Sequence, residues 1–179
     1  MANTNITPPR AWTAKLRTET TKPRDPFDST SAIELDPIER DAIDSAVPFA
    51  AEHARRYIAT AGKDDGWDGP RPILLLYTTG RRSGDIRRNP LLYLEHEGAR
   101  YIVGSKGGYA THPLWFLNLV AEPNVHIRVD ADFYAAIAEV LEPDERARLW
   151  PTLTARYPMF ADYQAHTERA IPLVRLRRT

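Results

Sequence analysis

Two apolar runs, ILLLYTT at residues 73–79 and IRRNPLLYLE at 86–95, are separated by only the six residues GRRSGD. A parallel pair of strands needs a crossover of roughly a dozen residues or more, so these runs must pair antiparallel. The next connection is tighter still, a turn at Glu97-Gly98 leading into a third strand, Tyr101–Gly104. A doubly wound parallel sheet has no room here for its helical crossovers. The pattern predicts an α+β fold: a small, mainly antiparallel barrel with helices packed outside it.

The remaining elements fit around that barrel. Residues 1–35, rich in Thr and Pro with mixed charge, read as a flexible N-terminal arm, which leaves 36–179 as the folded domain. Asp36-Pro37-Ile38-Glu39 marks a helix start, in which Asp36 can cap and Glu39 can return a capping-box bond. Ile38, Ala42, Ile43, Ala46, Val47 and Ala50 recur at helical spacing, so an amphipathic helix follows, kinked or split by Pro48 and ended by Gly62 and KDDGWDGP. Pro90 favours an edge or a bulge in the second strand. Leu114–Val120 is a short helix, and Val125–Val129 alternates as a half-buried strand. FYAAIAEVL at 133–141 has the composition of a helix but the length of a strand. Pro143–Tyr157 is a helix, a shorter aromatic-rich helix runs to about His166, and a last strand forms around Val174 and Leu176.

Composition narrows the chemistry. Twenty-four basic and 24 acidic side chains leave no formal net charge, which argues against a surface built for nucleic acid or anionic lipid. Positive charge is local instead: from Arg71 to Lys106 seven basic residues stand against three acidic ones. With no cysteine, disulfides, thiolate zinc sites, iron–sulfur clusters and a cysteine nucleophile are all excluded. The five histidines show no metal-ligand spacing, so no metal is expected. No run approaches the ~18 apolar residues of a membrane span. The N-terminus also lacks the apolar core of a signal peptide. A cytoplasmic protein without an integral membrane segment is the expectation, with association at a membrane surface left open.

The local charge centres on GRRSGD. Glycines at 80 and 84 let the backbone turn sharply and aim successive N–H groups at one anion, and guanidinium forks suit phosphate or carboxylate oxygens. Lys106, on the following glycine-bearing loop, could reach the same anion. Neither the GxxxxGK[ST] nor the GxGxxG pattern is present. The alternative is a solvated hairpin tip whose arginines keep an edge soluble. RNA binding through GRRSGDIRR lacks the expected aromatic–basic alternation.

Four blocks, TTGRRSGDIRRNPLLYL, IVGSKGG, HPLWFLNLVAEPNVHI and YPMFADYQAHTERAIPLVRL, together resemble the deazaflavin-dependent nitroreductase family of flavin/deazaflavin split-barrel oxidoreductases. The resemblance implies a split β-barrel of the FMN-binding-like kind and coenzyme F420, a 5-deazaflavin with a phospholactyl group and a polyglutamate tail, with FMN as the lesser alternative. It maps the phosphate-binding loop onto Arg81, Arg82, Ser83 and Gly84, continuing through Asp85 and Ile86. It sets Asn89-Pro90 and Val103, Gly104, Ser105 and Lys106 beside the ring and tail. Leu114, Trp115 and Asn118 would help to enclose the cofactor. The activity it implies is hydride transfer between F420 and a conjugated acceptor: a quinone, an enone or a nitro compound.

Tyr157 and Tyr163 are the candidate substrate-side catalytic residues, because with Phe160 they recur every three residues, as on one helical face. An aromatic core stripe would give the same spacing. Members best known for nitroimidazole reduction carry a further tyrosine at the position of Phe160 and an aromatic at that of Leu92. That departure keeps open a non-catalytic module binding F420, a flavin or a lipid-like ligand. The expected partner is a small-molecule substrate, and the expected assembly a monomer or homodimer.

Overall fold

The computed structural model describes residues 35–63 and 71–179. The arm up to residue 34 and the turns at Gly66, Gly69 and Pro70 lie outside the described residues. Within them the chain runs α1 (Pro37–Arg40), β1 (Ile43–Asp44), α2 (Pro48–Ala59), β2 (Ile73–Thr79), β3 (Ile86–His96), β4 (Ala99–Val103), α3 (Leu114–Ala121), β5 (Asn124–Val129), β6 (Asp132–Val140), α4 (Pro143–Arg156), α5 (Met159–Ala165) and β7 (Leu173–Arg178). Six strands close a barrel in the order β3-β2-β5-β6-β7-β4, with β4 returning to β3. Every pairing in that ring is antiparallel, as the short connections require for β2–β3, β3–β4 and β5–β6.

β2 explains why its run is apolar without alternation. Leu74 and Leu76 point into the barrel, where they meet Ile102, Leu119, Ile127 and Val174. Ile73, Leu75 and Tyr77 face outward and are covered by Ala54, Tyr57 and Ile58 of α2. A third cluster joins the β4 and β7 outer face to α4 and α5 through Tyr101, Leu173, Leu149, Leu153, Phe160 and Tyr163. A fully buried leucine contributes roughly 1.5–3 kcal/mol, so these three layers hold the barrel from both sides. The β3–β4 turn has φ of +50° at Glu97 and +74° at Gly98, the left-handed pair that suits a two-residue hairpin.

Several local expectations change. The segment 133–141 resolves as strand β6, with Tyr134, Ala136 and Ala138 on its buried face. Of the kink or split expected at Pro48 the structure shows the split, although the first helix ends well before that residue. It stops after four residues, β1 pairs in parallel with Arg87 and Arg88, and Pro48 becomes the first residue of α2. Glu39 forms no capping box. It is fully buried, accepting from the Tyr77 hydroxyl and the Arg128 guanidinium. At the exposed end of β7, Arg175 and Arg177 pair with Glu139, and Arg178 with Asp132.

β3 positions the site. One of its edges is paired to β2 along residues 86–92. The opposite edge carries β1 at Arg87 and Arg88 and β4 from Tyr93 onward. Between them the edge at residues 89–92 has no strand partner among the described residues. This gap is where the barrel splits. Tyr93 N donates to Pro72 O on the β2 side, so by alternation the Pro90 nitrogen faces the gap. Proline is tolerated there because that position has no ladder bond to lose.

Candidate cofactor and active site

The loop at residues 80–85 closes on itself. Gly80 N donates to Asp85 O at 2.8 Å and Gly84 N to Gly80 O at 2.8 Å. Gly84 has φ +77°, a conformation that costs a side-chain-bearing residue and not glycine. Asn118, buried on α3, anchors the loop: it donates to Thr78 Oγ1 at 3.2 Å and accepts from Arg81 N at 3.3 Å. The packed helix thus fixes where the arginines leave the barrel.

The four arginines of this stretch divide by environment. Arg81 and Arg82 are exposed, and their guanidinium groups have no hydrogen-bond or ion-pair partner among the described residues. Arg87 is held by Asp85 at 3.0 Å. Arg88 is buried, reaching Asp44 at 2.6 Å and Glu39 O at 3.3 Å. Only part of the local positive charge is therefore available to a ligand. Asp85 and Ser83 serve the loop itself, with Ser83 Oγ accepting from Asp85 N at 3.3 Å.

β4 ends at Val103 and leads into a second loop. β2 and β4 both run antiparallel to β3, so this loop leaves the barrel at the same end as the arginine loop. Gly104 is a tight passage, where a Cβ would lie 2.7 Å from Pro172 Cγ. Ser105 is right-handed at φ −72°, and Lys106 then turns left-handed at φ +48°. An alternation of that kind turns successive amides toward one concavity. The Lys106 ammonium rests on Thr111 Oγ1 at 2.8 Å.

The other expected residues separate. Asn89 and Pro90 are half-buried in the β3 gap, and Ile86 opens β3. Val103, Gly104 and Ser105 are buried, while Leu114 stands 69% exposed at the start of α3. Trp115 packs into the barrel interior and is part of the core. Tyr157, Phe160 and Tyr163 do not share one helical face, because Tyr157 falls after α4 and before α5. Tyr163 and Phe160 are 4% exposed within the cluster under α4 and α5. Tyr157 is half-buried and donates to Tyr93 O at 3.0 Å, on the edge of β3 away from the gap. Burial pushes its hydroxyl pKa up, so it stays protonated.

Arg169, which sequence reasoning did not single out, grips the second loop. Its Nη2 donates to Gly104 O at 3.1 Å and Ser105 O at 2.7 Å, and its Nε to Tyr109 O at 2.9 Å. Its Nη1 meets His112 Nδ1 at 3.3 Å. Burial, and then the Arg169 cation, hold the His112 imidazole below its ordinary pKa. No spacing rule links residues 169 and 104. The only trace in the sequence is an arginine amid HTERAIP, just before the final strand.

The family model for F420H(2)-dependent quinone reductase matches residues 50–177. F420H(2)-dependent quinone reductase Rv1261c of Mycobacterium tuberculosis is 37% identical over 113 residues, covering 62% of this chain and 76% of the relative. Rv3178 of the same organism is 40% identical over 112 residues, covering 63% of this chain and 94% of its own length. Among solved structures, the F420-H2 dependent reductase FDR-A superposes with a TM-score of 0.55 at 38% identity, covering 60% of this chain and 95% of its own. A domain-swapped dimer superposes with a TM-score of 0.57 at 35% identity, covering 70% and 95% respectively.

Proposed function

Because the chain belongs to the F420H(2)-dependent quinone reductase family, we propose that it reduces a quinone at the β3 gap, with F420 held between the arginine loop and the Gly104–His112 loop. The chain is an oxidoreductase and reduced F420 is its cofactor. The donor set fits that cofactor: two exposed guanidiniums without partners among the described residues, a lysine on the adjoining loop and amides arranged for an anion match a phosphate and a carboxylate tail. The observation that carries the reading is the pair Arg81 and Arg82, left uncommitted while Arg87 and Arg88 are paired.

Bound and reduced, the deazaflavin supplies a hydride to a two-electron acceptor. The chain's part is to bind, orient and shield. Arg81, Arg82 and Lys106 anchor the anionic groups, and Ser83, Gly84, Asp85 and Ile86 keep the arginine loop in shape. Asn118 fixes that loop from beneath. Asn89 and Pro90 line the gap, with Val103, Gly104 and Ser105 along its other margin. Leu114 covers the entrance, and Trp115 supports it from the core. The Tyr157 hydroxyl donates to Tyr93 O, so Tyr157 reaches an acceptor only by exchanging that bond, and Tyr163 acts by packing in the cluster beneath α4 and α5. Nitro compounds are poorer acceptors in this reading, since Phe160 offers a nitro group no hydroxyl, and an enone is the acceptor to compare with the quinone. The assembly is a monomer or homodimer, and the domain-swapped relative supports the dimer.

The test is acceptor competition. Reduced F420 and purified protein are offered a quinone, an enone and a nitroaromatic compound, and reappearance of oxidised F420 is followed. Quinone turnover well above the other two supports the proposal. Tight F420 binding without turnover of any acceptor would favour a non-catalytic binding module.

A further inference from the structure

We propose that Arg169 is a positioning residue for the cofactor, and that its grip on the carbonyls of Gly104 and Ser105 turns the Ser105 and Lys106 amides into a paired donor for an anionic group. The inference rests on the assignment of this loop to F420.

The peptide unit is planar and trans, so a carbonyl and the N–H that follows it point to opposite sides. Arg169 Nη2 takes the Gly104 and Ser105 carbonyls together. The N–H groups of Ser105 and Lys106 are thereby fixed to face away from Arg169. Neither amide donates to another group among the described residues. The later amides are already used: Gly108 N donates to Ser105 O at 3.0 Å and Tyr109 N to Lys106 O at 3.3 Å. Left-handed Lys106 is a strained position for a residue with a side chain, and such positions persist where surrounding contacts over-determine them. Arg169 supplies those contacts with four of its five N–H donors.

Arg169 is itself held in place. Gln164 Nε2 donates to Arg169 O at 2.9 Å and Thr167 O at 3.2 Å, and Gln164 Oε1 accepts from Ile171 N at 2.9 Å. Arg146 of α4 donates to Gln164 Oε1 at 2.7 Å and Ile171 O at 2.7 Å. Gly104 N in turn donates to Pro172 O at 2.9 Å. A chain of contacts therefore runs from α4 through α5 and the segment before β7 to the loop. A lysine at 169 keeps the charge, but its single ammonium cannot reproduce a fork that spans three carbonyls.

The experiment combines an F420 fluorescence titration with residue-resolved amide exchange, on wild type, Arg169→Lys, Gln164→Leu and, as a control at the far end of β7, Arg177→Ala. Wild type should bind F420 and slow exchange at the Ser105 and Lys106 amides. Arg169→Lys should bind about tenfold more weakly or worse, lose that protection and raise KM for reduced F420 more than it lowers kcat. Gln164→Leu should move the same way by less, and Arg177→Ala should not move. Unchanged affinity in Arg169→Lys, or no protection at the two amides in wild type, overturns the inference while the cofactor assignment stands. Failure of wild type to bind F420 overturns both.

Discussion

At the scale of single residues, the basic side chains around the β2–β3 turn have different tasks. Arg82→Ala should weaken F420 binding by roughly ten- to a hundredfold, as expected for a charge-assisted pair. It should leave stability within about 0.5 kcal/mol, as for most surface changes. Arg88→Ala should do the reverse. It leaves Asp44 to its second partner Arg55 and Glu39 O without its guanidinium donor, and costs about 1–3 kcal/mol in a urea titration, with little effect on affinity in the folded fraction. The sequence showed that arginines cluster here and not which are already spent, because the partners of Arg88 lie 44 and 49 residues upstream. His112 adds a pH dependence. Its imidazole faces the Arg169 guanidinium and the Phe116 ring and is held below its ordinary pKa. A depressed pKa contributes stability that is complete above the unfolded value of about 6.5 and is lost as pH falls through the folded one. Melting curves across this window should show wild type losing stability on acidification relative to His112→Asn, whose amide oxygen still accepts from Arg169. Parallel curves would remove His112 as the titrating group.

At the scale of elements, the hairpin strands, α3, α4 and the last strand were legible, because turn residues and apolar spacing act over a few residues. The break between α1 and α2 was legible only as a split at Pro48, and the strand β1 within it was not. Its cause is tertiary: residues 43–44 leave the helix to pair with β3, where Asp44 can meet Arg88. Glu39 shows the same override. Its position invites a capping box, but burial against Tyr77 and Arg128 satisfies more groups. Burial, followed by the Glu39 contact, raises the Tyr77 hydroxyl above its ordinary pKa, so it donates throughout the physiological range. Glu39→Ala should therefore cost about 3–5 kcal/mol by leaving the Arg128 charge unpaired. Amide exchange should rise first across α1 and β1 while β2 stays protected. Uniform acceleration through the barrel would mean that Glu39 belongs to the global core and not to a local clamp. The segment 133–141 was ambiguous for a plainer reason: alanines suit a helix, yet the small side chains of Ala136 and Ala138 are what the barrel interior admits.

At the scale of the whole molecule, a six-stranded barrel leaves few places for a large cofactor. The split between β1 and β4, flanked by two loops that leave the same end, is one that the topology itself creates. Short turns already pointed to an antiparallel barrel, the resemblance of four sequence blocks supplied the redox cofactor, and the arginine loop suggested one margin of the candidate site. The opposite margin depends on Arg169, Gln164 and Arg146 meeting across three elements, which no local pattern encodes. Among the described residues no helix is long and apolar enough to cross a membrane, and sedimentation of the purified chain should give the mass of a monomer or a dimer. The central claim is that this site delivers a hydride from reduced F420 to a quinone. The most direct measurement mixes the F420H2-loaded protein with a soluble quinone under anaerobic conditions and follows the return of oxidised F420. The account predicts one F420 oxidised for each quinone reduced, at a rate that collapses in Arg82→Ala at subsaturating cofactor. Oxidation no faster than in the absence of protein would contradict it.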